Sequence, residues 1–354
     1  MKLRQIITAA SIALLPLAAR AATFIVPAAG TGPGANDSHW QSELTLHNAS
    51  AAPVTVALTF HDGAGAQQGE NVTINARSTV AISDIVKTVF GRQAGTGAVE
   101  ITLPDAMANR MAITSRTFNS SANGQFGQDI PAVNSNDAAT AGDIAVLQAP
   151  SSATDARFNF GLYAVTDATI RWDLVRADGT LLSPIGEQSY AAGTQFQFNS
   201  GIQTLLGQTA QDNDTIHAAV LKGKVIAYGS AVNNASGDPT YVPGIRARSE
   251  IRVNFIGVDL DENGTADVLD ADHDGVLDQA IDVFTTAFPN YFRVIVEGPA
   301  SLELVDAPRD AQFIDAQTVE WAPGGAVKGT TGVLKVRATV NGISDVLTIP
   351  VNFR

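Results

Sequence analysis

Apolar and polar residues alternate with a period of two along much of the chain. Trp40, Ser42, Leu44 and Leu46 alternate with Gln41, Glu43, Thr45 and His47, and Val54, Val56, Leu58 and Phe60 alternate with Thr55, Ala57 and Thr59. Successive side chains of a strand point to opposite faces, so this pattern predicts strands with one buried face. Near the end, Leu334, Val336, Ala338 and Val340 form one such row and Leu347, Ile349, Val351 and Phe353 another. Asn341-Gly342 between them supplies the positive backbone angles of a tight hairpin. Asp62-Gly63 closes an earlier strand in the same way, and a short helix is predicted from Asp84 to Phe90, capped by Ser83. Long amphipathic stripes are scarce. The fold class this predicts is all-β, with tandem β-sandwich domains that bury the apolar faces against each other.

Three regions emerge, at 22–136, 137–249 and 250–354. The second repeats the first loosely. Phe158, Phe160 and Leu162 match the strand at Trp40. Ile170, Trp172 and Leu174 match the strand at Val56, and Asp178-Gly179 matches Asp62-Gly63. Ser115 through Asn119 lines up with Ser230 through Asn234, and Ile130-Pro131 with Val242-Pro243. Two related sandwiches follow from this self-similarity, separated by a polar linker around 134–142.

The chain opens with Lys2 and Arg4, an apolar run from Ile6 to Ala19 and the small-x-small triplet Ala19-Arg20-Ala21. That is the form of a secretory signal peptide, 1–21. The alternative is a membrane anchor, but the run is shorter than the ~20 residues that span a bilayer. The mature chain is expected to be secreted, periplasmic or at the cell surface, with no transmembrane segment. The absence of cysteine excludes disulfides, thiolate metal sites and a cysteine nucleophile. A net charge of −13 argues against a nucleic-acid partner, because phosphate repels an acidic surface.

The acidity is concentrated at 259–278. Asp259, Asp261 and Asn263 stand at alternate positions, Gly264 follows and Asp267 closes the group; the spacing restarts with Asp270, Asp272, Asp274, Gly275 and Asp278. No Lys or Arg lies among them. A hard cation takes six to eight oxygens at about 2.3–2.6 Å, and a short loop can wrap them around it only if it turns sharply. Gly264 and Gly275 permit such turns, and the backbone carbonyls of Thr265 and Val276 would add further ligands. Calcium (Ca2+) is the ion this chemistry predicts, and it is the cofactor expected here. A solvated acidic linker is the alternative. His273 lies among oxygen donors and is expected to point outward.

This segment resembles the calcium loops of thrombospondin type 3 repeats and dockerin-like EF-hand loops. The resemblance covers these twenty residues. It departs at the twelfth loop position, where an EF-hand has a bidentate Glu; here the residue is Asp270 in the first loop and Ile281 in the second. From Phe292 to Val351 the chain resembles bacterial immunoglobulin-like domains of surface proteins. Residues 24–245 are similar to paired β-sandwich modules of uncharacterised secreted bacterial proteins, on the stretches Phe24-Ile-Val-Pro27, Trp40 to Leu46, Ser115 to Asn119 and Gly127 to Pro131. These resemblances imply fold and compartment, not activity.

No catalytic motif stands out. His61-Asp62 lacks a Gly-x-Ser-x-Gly partner, and His61 is expected to be solvated beside its turn. Gly30-Thr31-Gly32-Pro33-Gly34 lacks the Lys-Ser/Thr of a phosphate loop and reads as a flexible loop. Trp40 and Trp172 are expected in the core. The leading reading is a non-catalytic, calcium-binding structural or adhesive protein, with a cell-surface protein or polysaccharide as partner. The alternatives are a carbohydrate-binding protein with exposed aromatics, and a hydrolase whose carboxylates assemble across the sandwiches.

Overall fold

The computed structural model describes residues 21–34, 38–65, 67–121, 124–182, 187–248, 253–271, 274–286, 288–305, 308–340 and 343–354. Almost all regular structure is β, in several largely antiparallel sheets, with only short helical turns between strands. Residues 1–20 of the predicted signal segment, Asp272-His273 and the Asn341-Gly342 turn lie outside the described residues. Among the described residues no helix is long and apolar enough to cross a membrane.

The first sandwich is built around Ala21–Pro33. Its early residues pair with Gly95–Pro104, its register shifts between Val26 and Ala29, and Gly32 and Pro33 then pair with His39–Asn48. An irregularity of that kind bends a strand and lets it pass from one sheet to the facing one. The Gly-rich stretch is therefore largely strand and not a free loop. Gly30 is held on both sides, its N–H donating to Ser42 Oγ at 2.8 Å while that hydroxyl donates to Gly30 O at 3.1 Å. Between the layers, Leu44 and Leu46 meet Val56, Leu58, Phe60 and Ile101.

The second sandwich repeats these pairings. Asp143–Gln148 lies on Thr215–Lys222 as Ala21–Pro33 lies on Gly95–Pro104. Ala156–Ala164 pairs with Lys224–Asn233 as His39–Asn48 pairs with Met111–Ser121, and Ala168–Val175 pairs with Thr215–Lys222 as Val54–His61 does with Gly95–Pro104. Leu44 stands opposite Ile82, and Phe160 opposite Phe198. Across the other edge Leu44 faces Ser115 whereas Phe160 faces Gly229. The structural counterpart of Ser115 is thus Gly229, one residue before the Ser230 that the sequence aligns with it. A slip of one flips the side chain to the other face of the sheet, and Ser230 lies on the outer face.

Each of these two sandwiches carries a short α-helical turn, Ile85–Thr88 and Gly201–Thr204, entered through a residue with positive φ, Asp84 at 46° and Ser200 at 49°. The cap is Asp84, not Ser83, and the turn ends before Phe90. Asp84 wins because its carboxylate accepts from Lys87 N at 3.3 Å and from the Thr31 hydroxyl at 2.9 Å. The segment at 134–142 is also ordered: Val133–Asn134 joins the first sandwich beside Phe24 and Ile25, and Ala139–Thr140 joins the second beside Val225 and Lys224. Ala138 between them belongs to a small apolar core with Ile25, Ala98, Tyr163 and Ile226, which glues the two sandwiches together.

In the last hundred residues, Phe255–Asp259, Asn290–Val296 and Thr318–Trp321 form part of one sheet, and Thr331–Val340 and Ile343–Phe353 part of the other. Phe255, Val294 and Trp321 share a core with Leu334, Val336, Leu347 and Ile349. Ile281–Val283 adds a parallel strand beside Ile343–Phe353.

Candidate metal loop

The first acidic loop is a hairpin connection. Val258 pairs with Val268, so the chain leaves the strand Phe255–Asp259 at Asp259 and returns at Asp267, whose N–H donates to Val258 O at 2.9 Å. Gly257 makes this closure possible. Its φ is 153°, and a Cβ there would stand 2.1 Å from Val268 O. Gly264 turns the loop back at a φ of 88°.

Within that loop, one carboxylate oxygen from each of Asp259, Asp261 and Asp267 lies within 4.8 Å of the others. Two oxygens bound to one calcium at about 2.3–2.6 Å can be separated by no more than roughly 5 Å, so the three fit a single ion of that size. Asp259 is buried while Asp261 and Asp267 are exposed. Asp259 accepts from Gly264 N at 2.8 Å and from Asp261 N at 3.2 Å. Burial opposes its charge, yet the backbone N–H groups of Gly264, Glu262, Asp261 and Asn263 outweigh that and hold its pKa below the ordinary aspartate value. It is therefore ionised at neutral pH, as a cation ligand must be. Asp267 Oδ2 accepts from Leu260 N at 2.7 Å, and Asn263 Oδ1 accepts from Thr265 N at 2.8 Å.

The second loop repeats the same bonds eleven residues on. Gly275 N donates to Asp270 Oδ2 at 3.0 Å, Ala271 N to Asp278 Oδ2 at 3.0 Å and Val276 N to Asp274 Oδ1 at 2.8 Å. Val276 also bridges to Thr348, which anchors this loop on the opposite sheet. Asp270, buried, is the hub of the second loop as Asp259 is of the first. It is not among the three carboxylates that converge in the first loop. Asp272 lies outside the described residues.

Other candidates land differently. His61 is buried, not solvated. Its Nδ1 is 3.0 Å from Gly193 O of the second sandwich, and its Nε2 is 3.4 Å from Glu100. Trp172 and Trp321 are core residues, while Trp40 is only half-buried and lines a cleft between the first two sandwiches. A buried cluster not legible in the sequence brings Arg171 to Asp173 at 3.1 Å and to Asp345 at 3.0 Å. Arg171 and Asp173 share the strand Ala168–Val175 while Asp345 comes from the third sandwich, and no local pattern signals a long-range ion pair.

The chain matches no protein-family model and no curated protein.

Proposed function

We propose that this is an exported, non-catalytic structural or adhesive protein whose third sandwich is braced by calcium at the loop 259–267. The observation that carries this reading is the convergence of Asp259, Asp261 and Asp267, with no cationic side chain in the loop sequence to neutralise them. Three carboxylates held that close repel one another, and a divalent ion relieves the repulsion. All the donors are hard oxygens, which favours calcium over a transition metal. Asp270, Asp274 and Asp278 offer a second loop of the same design. The apolar start of the chain supports export, and the surface-protein resemblance supports a structural or adhesive duty.

The test is a melting experiment. An ion that binds only the folded state stabilises it by about 2.7 kcal/mol at a hundredfold excess over its Kd. Calcium added to chelator-treated protein should raise the melting temperature, and D259N/D261N should abolish the shift. If chelation followed by calcium leaves the melting temperature unmoved and calorimetry records no uptake, the reading fails.

A further inference from the structure

One cleft lies far from the acidic loops in sequence, where the first two sandwiches meet. It has a volume of about 350 Å³, near the lower end of the roughly 300–1,000 Å³ usual for small-molecule sites. The first sandwich supplies the bent strand Ala28 to Pro33, together with Trp40 and Gln128. The second supplies the outer face of one sheet. Cross-strand pairing puts Asn159 opposite Ser230, Gly161 opposite Tyr228 and Gln197, and Tyr163 opposite Gln195. Period-two alternation then places Asn159, Gln195, Gln197, Tyr228 and Ser230 on one face, turned towards the first sandwich.

The chemistry of this wall is unusual for so acidic a chain. Among the described residues no carboxylate, lysine or histidine lines the cleft, and Arg157 is the single charged one. The polar groups are side-chain amides and hydroxyls, and they hold one another in place. Gln195 Nε2 donates to the Tyr228 hydroxyl, which donates to Gln197 Oε1 at 3.2 Å, while Gln197 Nε2 donates to Asn199 Oδ1 at 2.9 Å. Ser230 Oγ donates to Gln128 Oε1 at 3.1 Å across the joint between the sandwiches. Gln195 and Tyr228 are buried.

Such a wall suits a ligand that carries donors and acceptors side by side and no net charge. A cation finds no anionic partner here, and a polyanion finds one arginine. Each amide offers both a donor and an acceptor at fixed positions, which matches a row of hydroxyls. Trp40, half-buried at the rim, adds a flat apolar face of the kind that covers the C–H face of a pyranose ring. With no carboxylate or histidine among its described residues to move a proton, the lining suits binding better than glycoside cleavage. We propose that this cleft binds a neutral saccharide of one or two rings, with Trp40 as the stacking face and Gln128, Asn159, Gln195 and Gln197 as the hydroxyl-reading groups. The site is independent of calcium at 259–278.

The experiment is a binding screen with the whole chain. Neutral hexoses, N-acetylhexosamines and their disaccharides are tested by saturation-transfer NMR, beside glucuronic acid and short uncharged peptides. At least one neutral sugar should bind. W40A and Q197A should each weaken it on the order of tenfold with the melting temperature unchanged. Should W40A unfold, Q197A alone carries the test. The proposal is overturned if no neutral sugar binds, or if one binds and neither variant weakens it. Preference for glucuronic acid that is lost in R157Q, or for the peptides, also overturns it.

Discussion

His61, Glu100 and Tyr163 form a polar knot on the joint between the first two sandwiches. The Tyr163 hydroxyl donates to Glu100 at 3.1 Å, and the His61 and Tyr163 rings meet edge to face. The His61 imidazole is the largest influence on Glu100. It lowers the carboxyl pKa, with help from Tyr163 and Thr102, against an opposing push from burial. Burial, and then the Glu100 charge, raise the Tyr163 pKa. Glu100 thus holds its proton less tightly folded than unfolded, so the unfolded state takes up more protons as the medium turns acid. The stability this gives is fully present above the unfolded value, near 4.5, and is lost as pH falls through the lowered folded value. E100Q should be less stable than the parent at pH 7, and its stability should fall less steeply below pH ~4.5. Urea titrations at pH 7, 5 and 3.5 measure both slopes; parallel curves would remove Glu100 from the account.

The two acidic loops show how far a short element can be read from its letters. Aspartates and glycines eleven residues apart in sequence become the same hydrogen bonds eleven residues apart in space, because each bond is local. Gly264 and Gly275 both sit at positive φ, at 88° and 78°. G264A should therefore cost about 1–2 kcal/mol of backbone strain, seen as a lower melting temperature even in chelator, and should weaken calcium uptake measured by calorimetry. Full affinity in G264A would mean that the turn does not set the ligand geometry. Alternation was legible for the same reason: a strand such as Val54–His61 shows its buried face in its own residues. What escaped the sequence depends on partners elsewhere in the chain. Thr31 and Lys87 select Asp84 as the cap, and Ser42 holds Gly30 in a strand. The second sandwich buries His61, which alone reads as a turn histidine. Trp40 stays half-buried because its strand emerges at the cleft. The repeat is visible in outline, and Ile130 does correspond to Val242, yet Ser115–Asn119 and Ser230–Asn234 align one residue out of register, because small residues there carry little pattern.

Joints between sandwiches decide how the molecule behaves as one body. The first and second share an apolar patch around Ile25, Tyr163 and Ile226. The second and third share a small apolar contact of Ala141 with Val305 and Val346, and a buried cluster of charges. Arg171 reaches Asp345 at 3.0 Å and Ser344 O at 2.6 Å, and Asp345 in turn accepts from Val253 N at 2.7 Å, just ahead of the strand that leads into the first acidic loop. Burial works against the arginine's charge, but Asp173 and Asp345 outweigh it and raise its pKa. A buried pair adds little net stability compared with an apolar substitute, yet removing one partner strands the other and costs about 3–5 kcal/mol. Asp345 also ties the loop-bearing strand to the second sandwich, so calcium bound at 259–267 should be felt beyond the third. Calorimetry of the parent should show the second and third sandwiches melting together, with calcium raising that joint transition. In D345N the third should melt separately at lower temperature, and calcium should raise its transition alone. Two resolved transitions in the parent, only one of them sensitive to calcium, would show that the charged joint does not couple the sandwiches.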